Sequence, residues 1–312
     1  MQSPLDKAQG KGLSMKVGAG HRSVLLHEAL ELLAISKGDT VVDATLGGAG
    51  HSVAIAEKLD KSGTLIGIDA DRDAIVRGRE LLAGAAPTVH LVEINFRDIS
   101  AALEKLNINQ VDKILFDLGW SSFQLDAGRG FSLKADEPLL MTYSKESNAL
   151  TAERIVNEWA EESIADIIYG WGEERYSRRI ARCIVERREK KSFTTARELA
   201  EAIYETVPSR YRFGRIHPAT RTFQALRIAV NDELGALSQG LRDGWRKLSK
   251  GGRIAVITFH SIEDRVVKQT FKQWEEAGEG KRITKKPLVA SDEETTTNPR
   301  SRSAKLRVIQ KV

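Results

Sequence analysis

The residues best suited to chemistry lie in one short stretch, Val41-Val42-Asp43-Ala44-Thr45-Leu46-Gly47-Gly48-Ala49-Gly50-His51. An apolar run ends in an acid, a glycine-rich turn follows, and a helical pattern over 52–59 begins at once. Strand, tight turn and helix N-terminus in that order hold a nucleotide-like ligand at the carboxyl edge of a parallel sheet. Glycine permits left-handed angles there and lets the backbone approach a ligand closely. Two further acids stand at the ends of apolar runs, Asp69 and Asp117. An NAD site also joins a glycine turn to an acid after the second strand, but it sets Gly-x-Gly-x-x-Gly directly behind the first. Here Asp43 ends the first strand, four residues before Gly47. That arrangement suits a ligand with an amine and a sulfonium better than a pyrophosphate, and S-adenosylmethionine (SAM) is such a ligand. Asp69 would accept from its ribose hydroxyls. Any one of these acids alone reads equally well as a helix cap or a solvated turn residue; the three together at one edge point to the methyl donor.

The elements that must position these residues alternate. Helical spacing over 24–33, with Ser23 placed to cap it, precedes a strand at 40–44 and the helix at 52–59. Strand 63–69, helix 74–82, strand 89–94 with Phe96 at its tip, helix 99–106 and strand 111–118 follow. Such alternation gives right-handed crossovers and a parallel sheet, an α/β fold. It stops at a Gly-, Asp- and Ser-rich loop over 121–143, and 151–207 is mostly helical, with Thr194 or Thr195 able to cap its last helix. A helix over 220–245 leads back to strand 252–259, helix 261–274 and a last strand at 305–309. The simplest organisation is one sheet domain, 21–126 with 218–312, interrupted by an all-helical insert at 127–217 and preceded by a disordered leader at 1–20.

Composition excludes several classes. The 312 residues are 41% hydrophobic and 29% charged, and no apolar run approaches the roughly 20 residues of a membrane-spanning helix. One cysteine, Cys183, rules out an internal disulfide framework and suits a reducing cytoplasm, and no His/Asp/Glu group has metal-ligand spacing. The net charge of +5 is only mildly basic, but 175–191 holds eight Lys/Arg against two Glu, and 300–312 holds five with no acid. Such runs are solvated faces or nucleic-acid contacts.

Longer motifs narrow the reading. Asp117-Leu-Gly-Trp-Ser-Ser-Phe-Gln-Leu-Asp126 with Arg129-Gly-Phe-Ser132 resembles the RsmH (MraW) family of 16S ribosomal RNA cytosine-N4 methyltransferases. Thr45–His51, Tyr169–Tyr176, His217–Arg227, Thr258–Arg265 and Asn298–Arg307 resemble the same family, in one order from His21 to the C-terminus. The resemblance implies a Rossmann-like SAM-dependent methyltransferase sheet with an inserted helical domain. It implies SAM contacts at Ala49, Gly50, His51, Asp69, Phe96, Asp117 and Gln124, with Phe96 placed to stack on adenine. One segment departs: where the family usually reads Asp-Gly-Pro-Leu-Asp-Met-Arg-Met, this chain has Asp136-Glu-Pro-Leu-Leu-Met-Thr-Tyr143. That departure is the main support for the rival reading, a non-catalytic or altered-specificity RNA-binding assembly factor.

Methylating an exocyclic amine calls for an acceptor for one N–H as the nitrogen attacks. Asp117 is the candidate, with Ser121 and Ser122 orienting the base and Trp120 as a stacking wall. His260, ending a late strand at the same edge, is as readily structural as catalytic. RNA contact is expected at Arg221, Arg227, Arg300, Arg302 and Lys305, and a second basic patch at Arg175, Arg178, Arg179 and Arg182. The expected partner is 16S rRNA within the small ribosomal subunit; the sequence leaves oligomeric state open, a homodimer included.

Overall fold

The computed structural model describes residues 22–119, 128–143 and 149–312. The expected leader lies outside them. The chain divides into two compact units, Met1–Gly119 with Gln239–Val312, and Trp120–Ser238.

The first unit is built on an eight-stranded sheet. Strands β1 (Thr40–Asp43), β2 (Thr64–Asp69), β3 (Thr88–Glu93), β4 (Val111–Asp117) and β5 (Leu248–Thr258) all pair in parallel. Strand β8 (Lys305–Lys311) pairs antiparallel with β5 and with the short strands β6 (Gly280–Arg282) and β7 (Leu288–Val289). The order is β3-β2-β1-β4-β5-β8-β6, with β7 on β8. Its first five strands follow the doubly wound dinucleotide order, but an antiparallel strand stands where that fold adds a parallel sixth. Strands β1, β2 and β4 are buried almost continuously, as strands covered on both faces must be, whereas edge strand β3 is half-buried or exposed throughout.

Register sets the site. Asp43 pairs with Gly67 on β2 and with Leu115 on β4. Asp69 and Asp117 therefore stand two residues further out than Asp43, one on each side of the turn that leaves β1. The turn itself is wedged by Leu46, which is 2% exposed. A Cβ at Gly67 would come within 3.0 Å of Leu46 Cδ1, and one at Gly78 within 2.7 Å of its Cδ2. Two glycines outside the glycine-rich motif thus make room for the side chain that anchors it.

The second unit packs helices Ala152–Glu158, Glu161–Gly172, Ser177–Arg188, Ala196–Thr206 and Thr220–Asn231 around an aliphatic core that includes Ile155, Ile168, Ile184, Leu199 and Leu226. Thr195 caps its helix through a capping box with Glu198, one of the two alternatives the sequence offers.

Three expectations change. Ser23 is not a cap: the first helix runs Leu26–Leu33, and Leu25 ahead of it is left-handed, its N–H donating to the Glu294 carboxylate at 2.8 Å. The single helix expected over 220–245 is two, Thr220–Asn231 and Glu233–Lys247, broken at left-handed Asp232. Asp tolerates that conformation, and Asn231 fixes the corner by donating to the Met141 and Arg227 carbonyls. Helix Thr220–Asn231 belongs to the second unit, so the observed helical unit is longer than 127–217. Its packing explains this: a Cβ at Gly172 would lie 2.6 Å from the Arg221 carbonyl oxygen, so the two helices meet almost backbone to backbone.

Gly172→Ala should therefore destabilise the protein by about 1–3 kcal/mol, although alanine is the better helix former by up to ~1 kcal/mol. Thermal unfolding checks this; an unchanged or raised midpoint contradicts the close approach.

Candidate active site

The turn after β1 is stitched to both neighbouring strands. Ala44 N–H donates to the Leu115 carbonyl on β4 and Leu46 N–H to the Ile68 carbonyl on β2, each at 2.9 Å. Asp43 is buried and accepts from the Ser52 hydroxyl at 2.6 Å and from Thr45 N–H at 3.2 Å. Burial pushes its pKa up, against the opposing pull of His51 and of these two hydrogen bonds. Both of its carboxylate oxygens thus serve the turn and the helix behind it, Gly50–Lys58. Ala49 caps that helix in the left-handed region at φ 61°, an angle that costs a non-glycine residue roughly 1–2 kcal/mol. Gly50 is required on different grounds: a Cβ there would meet Ser23 Oγ at 2.2 Å.

The outer acids take the next layer. Asp69 accepts from Gly47 N–H and Asp71 N–H, both at 2.8 Å. Burial raises its pKa to about 6 despite those two bonds. Asp117 is held by its backbone, its N–H donating to Thr45 Oγ1 at 2.6 Å. One carboxylate oxygen, Oδ2, lies 3.4 Å from His51 Nδ1. The other, Oδ1, is buried and has no hydrogen-bond partner among the described residues. His51 is 5% exposed. Burial alone would lower its pKa, but the Asp117 bond and the Asp117 and Asp43 charges outweigh it, and the net shift is upward. Its Nε2 has no partner at hydrogen-bonding geometry, although the Val24 carbonyl is near enough to favour the charged ring.

Gly119, just past β4, faces Phe259 at the end of β5, where a Cβ would lie 2.8 Å from that ring. Phe96 sits not on β3 but on the short 3-10 turn Phe96–Asp98 after it, half-buried, edge-on to Phe116 with ring centroids 5.8 Å apart. Gly240 lets the ring in, since a Cβ there would stand 3.0 Å from Phe96 Cδ2. The sheet edge thus brings together Ala49, Gly50, His51, Asp69 and Asp117, with Phe96 at the tip of β3. Trp120, Ser121, Ser122 and Gln124 lie outside the described residues.

His260 is placed as a helix cap. Its Nδ1 accepts from Glu263 N–H at 3.3 Å, and Glu263 returns a carboxylate to the N–H groups of Phe259 and His260, opening helix Ser261–Glu276. Nε2 lies 3.0 Å from Glu263 Oε1. The Ser/Thr-x-x-Glu cap signature has a histidine in first place here, which is why spacing alone left its role open.

The basic residues divide. Arg227 is no RNA contact: it is 6% exposed and paired through both nitrogens with Glu233 at 2.7 and 2.8 Å. Lys305 pairs with Asp264 at 3.3 Å, beside the buried Arg307. Arg221 donates to the Glu173 carbonyl at 3.0 Å. Arg182 pairs with Glu161 at 3.6 Å, and Arg175 lies over the rings of Tyr176 and Tyr211. Arg178, Arg179, Arg300 and Arg302 are exposed. In the divergent segment, Glu137 stands where the resembled family has glycine and accepts from Gly130 N–H at 2.9 Å. Tyr143 stacks on Phe131 and donates to Glu233 at 3.1 Å. The altered residues make contacts of their own inside the helical unit.

A glycine turn behind the first strand, acids closing β1, β2 and β4, and an antiparallel strand inserted in the sheet define a Rossmann-like methyltransferase. Residues 18–312 match the model of the MraW methylase family, and the chain belongs to that family. It is 47% identical over 308 residues to "Ribosomal RNA small subunit methyltransferase H" of Brevibacillus brevis, covering 94% of this chain and 98% of that protein. It is 49% identical over 294 residues to the protein of the same name from Deinococcus deserti, covering 94% and 93%.

The His51–Asp117 pair can be read directly. The His51 ring should titrate above the ordinary value of about 6.5 by NMR. Asp117→Asn, which removes the adjoining charge, should move its midpoint down; an unmoved midpoint contradicts the coupling.

Proposed function

We propose that this chain is a SAM-dependent methyltransferase that methylates the N4 amine of a cytidine in the decoding region of 16S rRNA, acting in the cytoplasm on the small ribosomal subunit. The family and the names of its relatives support rRNA methylation. The observation that carries the chemistry is Asp117 Oδ1, a buried acceptor without a partner among the described residues, on a carboxylate oriented by His51 and held at its backbone by Thr45.

The residues at the edge fit the donor. Asp69 is a half-buried carboxylate that two amides leave short of donors, and ribose hydroxyls supply them. Ala49, Gly50 and His51 form the wall for the methionine part, Phe96 offers a ring for adenine, and Gln124 adds a further contact. SAM supplies a methyl carbon on a sulfonium leaving group, so transfer is an in-line displacement and the protein's task is to position and orient.

The acceptor nitrogen is a poor nucleophile because its lone pair is delocalised into the cytosine ring. A hydrogen bond from the N4 amine to Asp117 Oδ1 localises that pair, and the same oxygen takes the proton the nitrogen sheds once the new bond forms. The carboxyl group then returns the proton to water. Ser121 and Ser122 orient the base, which must leave its stack to reach the edge, against Trp120. His260 caps its helix and needs no part in these steps.

The test is transfer of tritiated methyl groups from SAM to small-subunit particles taken from cells lacking the enzyme, followed by nucleoside separation. Label should appear in N4-methylcytidine; label in any other nucleoside, or none, contradicts the assignment.

Asp69 adds a pH dependence. Its folded pKa of about 6 exceeds its ordinary 3.8, so the folded chain holds that proton more tightly. The associated stability is present below about pH 3.8 and is lost as pH rises through about 6. The ionised form accepts from the ribose, so SAM affinity measured by calorimetry should rise between pH 5 and about pH 7. Asp69→Asn should bind weakly with that rise removed; an unchanged rise contradicts the role.

A further inference from the structure

The helical unit carries a feature that neither the donor pocket nor its acids use. Between Glu205 and Asp232 the chain has five arginines and no acid. At the centre of that stretch Phe213 is 80% exposed and Ile216 49% exposed, in a run from Phe213 to His217 that faces solvent throughout. An exposed aromatic on a wandering loop would mean little. This loop is fastened at several points. Tyr211 donates to the buried Glu174 carboxylate at 2.5 Å, and burial together with that acid raises the phenol pKa to about 12. Arg212 donates to the Val207 carbonyl at 3.1 Å and also to that of Glu205. His217 stacks on Tyr204 at 5.8 Å and accepts from Ala219 N–H at 3.2 Å. Partial desolvation, and then the charge of Lys134, push the His217 pKa down. Gly214 N–H donates to the Tyr211 carbonyl at 3.2 Å, closing the turn on which Phe213 stands.

The charge around the ring is mostly positive, with the buried Glu174 the acid on Tyr211. Arg210 and Arg215 flank Phe213 and are exposed. Arg175 and Arg221 act electrostatically on Tyr211, two residues from Phe213. The arginines that donate to backbone carbonyls still keep their charge, because a carbonyl does not neutralise a guanidinium. An aromatic face held out between the exposed Arg210 and Arg215 suits an unpaired base and the phosphates beside it.

We propose that the turn from Pro208 to Pro218 is a docking platform for a single-stranded segment of the RNA, with Phe213 stacking on one base and Arg210 and Arg215 on the adjoining phosphates. It rests on the assignment of an RNA acceptor and adds where on the helical unit that RNA is gripped.

The test uses the full chain, a fluorescein-labelled single-stranded RNA of roughly 12 nucleotides, and methyl transfer on small-subunit particles. Phe213→Ala should weaken anisotropy binding and raise KM for particles about tenfold, with kcat, SAM affinity and the thermal midpoint unchanged. Phe213→Trp should restore both. Arg215→Ala should lower the slope of log affinity against log salt by about one phosphate contact, which Phe213→Ala should leave alone. Wild-type RNA affinity and KM in Phe213→Ala overturn the proposal, as does loss of particle association with RNA affinity intact, which would mark a protein partner. If the wild-type chain binds RNA through Phe213 but transfers no methyl group, the enzyme assignment fails and the platform stands.

Discussion

The site depends on one constraint, the tying of the β1 turn to the strands on either side. Thr45 Oγ1 receives the amide of Asp117 and Asp69 receives the amide of Gly47. Asp43, two residues further in, fastens the turn to Ser52 on the following helix. Hydrogen bonds to charged groups contribute about 1.5–3 kcal/mol each, and one left unmade in a buried place costs at least as much. The turn therefore cannot relax without disturbing both outer acids, and the acids cannot move without the turn. This is how a sheet edge keeps a carboxylate oxygen buried and without a partner among the described residues: the rest of Asp117 is fixed by its amide and by His51.

That arrangement separates two roles that look alike in sequence. Asp43, Asp69 and Asp117 are each an acid at the end of a strand. Register makes the difference, because Asp43 lies level with Gly67 and Leu115, inside the edge, while Asp69 and Asp117 stand beyond it. The innermost acid shapes the turn, and the outer two are the ones proposed to meet the donor and the acceptor. From sequence all three stand at one edge, because strand ends are legible from apolar runs. Asp43 counts there with the other two as a sign of the methyl donor, since pairing register between strands distant in sequence is not written in either strand.

Much else was legible for the same local reasons. Alternating strands and helices, the helical insert and the Thr195 cap follow from periodicity and short-range signatures. What was missed depends on distant partners. Leu46 is anchored by Gly67 and Gly78, which look like ordinary glycines within a strand and a helix. The break at Asp232 lies inside an unbroken helical pattern and is fixed by contacts from Asn231 to Met141 and Arg227. Arg227 and Lys305 read as RNA contacts from charge alone, but Glu233 reaches Arg227 across the helix break and Asp264 reaches Lys305 from a distant helix. Phe213 carried no sequence signal of its own, because an isolated aromatic is usually core.

The central claim is that Asp117 Oδ1 is the acceptor for the amine that attacks. Single-turnover methyl transfer by Asp117→Ala, measured beside its SAM affinity and thermal midpoint, addresses it most directly. The account predicts a fall in rate of about 10²–10⁴-fold, the range for loss of a positioned proton acceptor, in a protein that stays folded. A variant transferring methyl groups at close to the wild-type rate would contradict it.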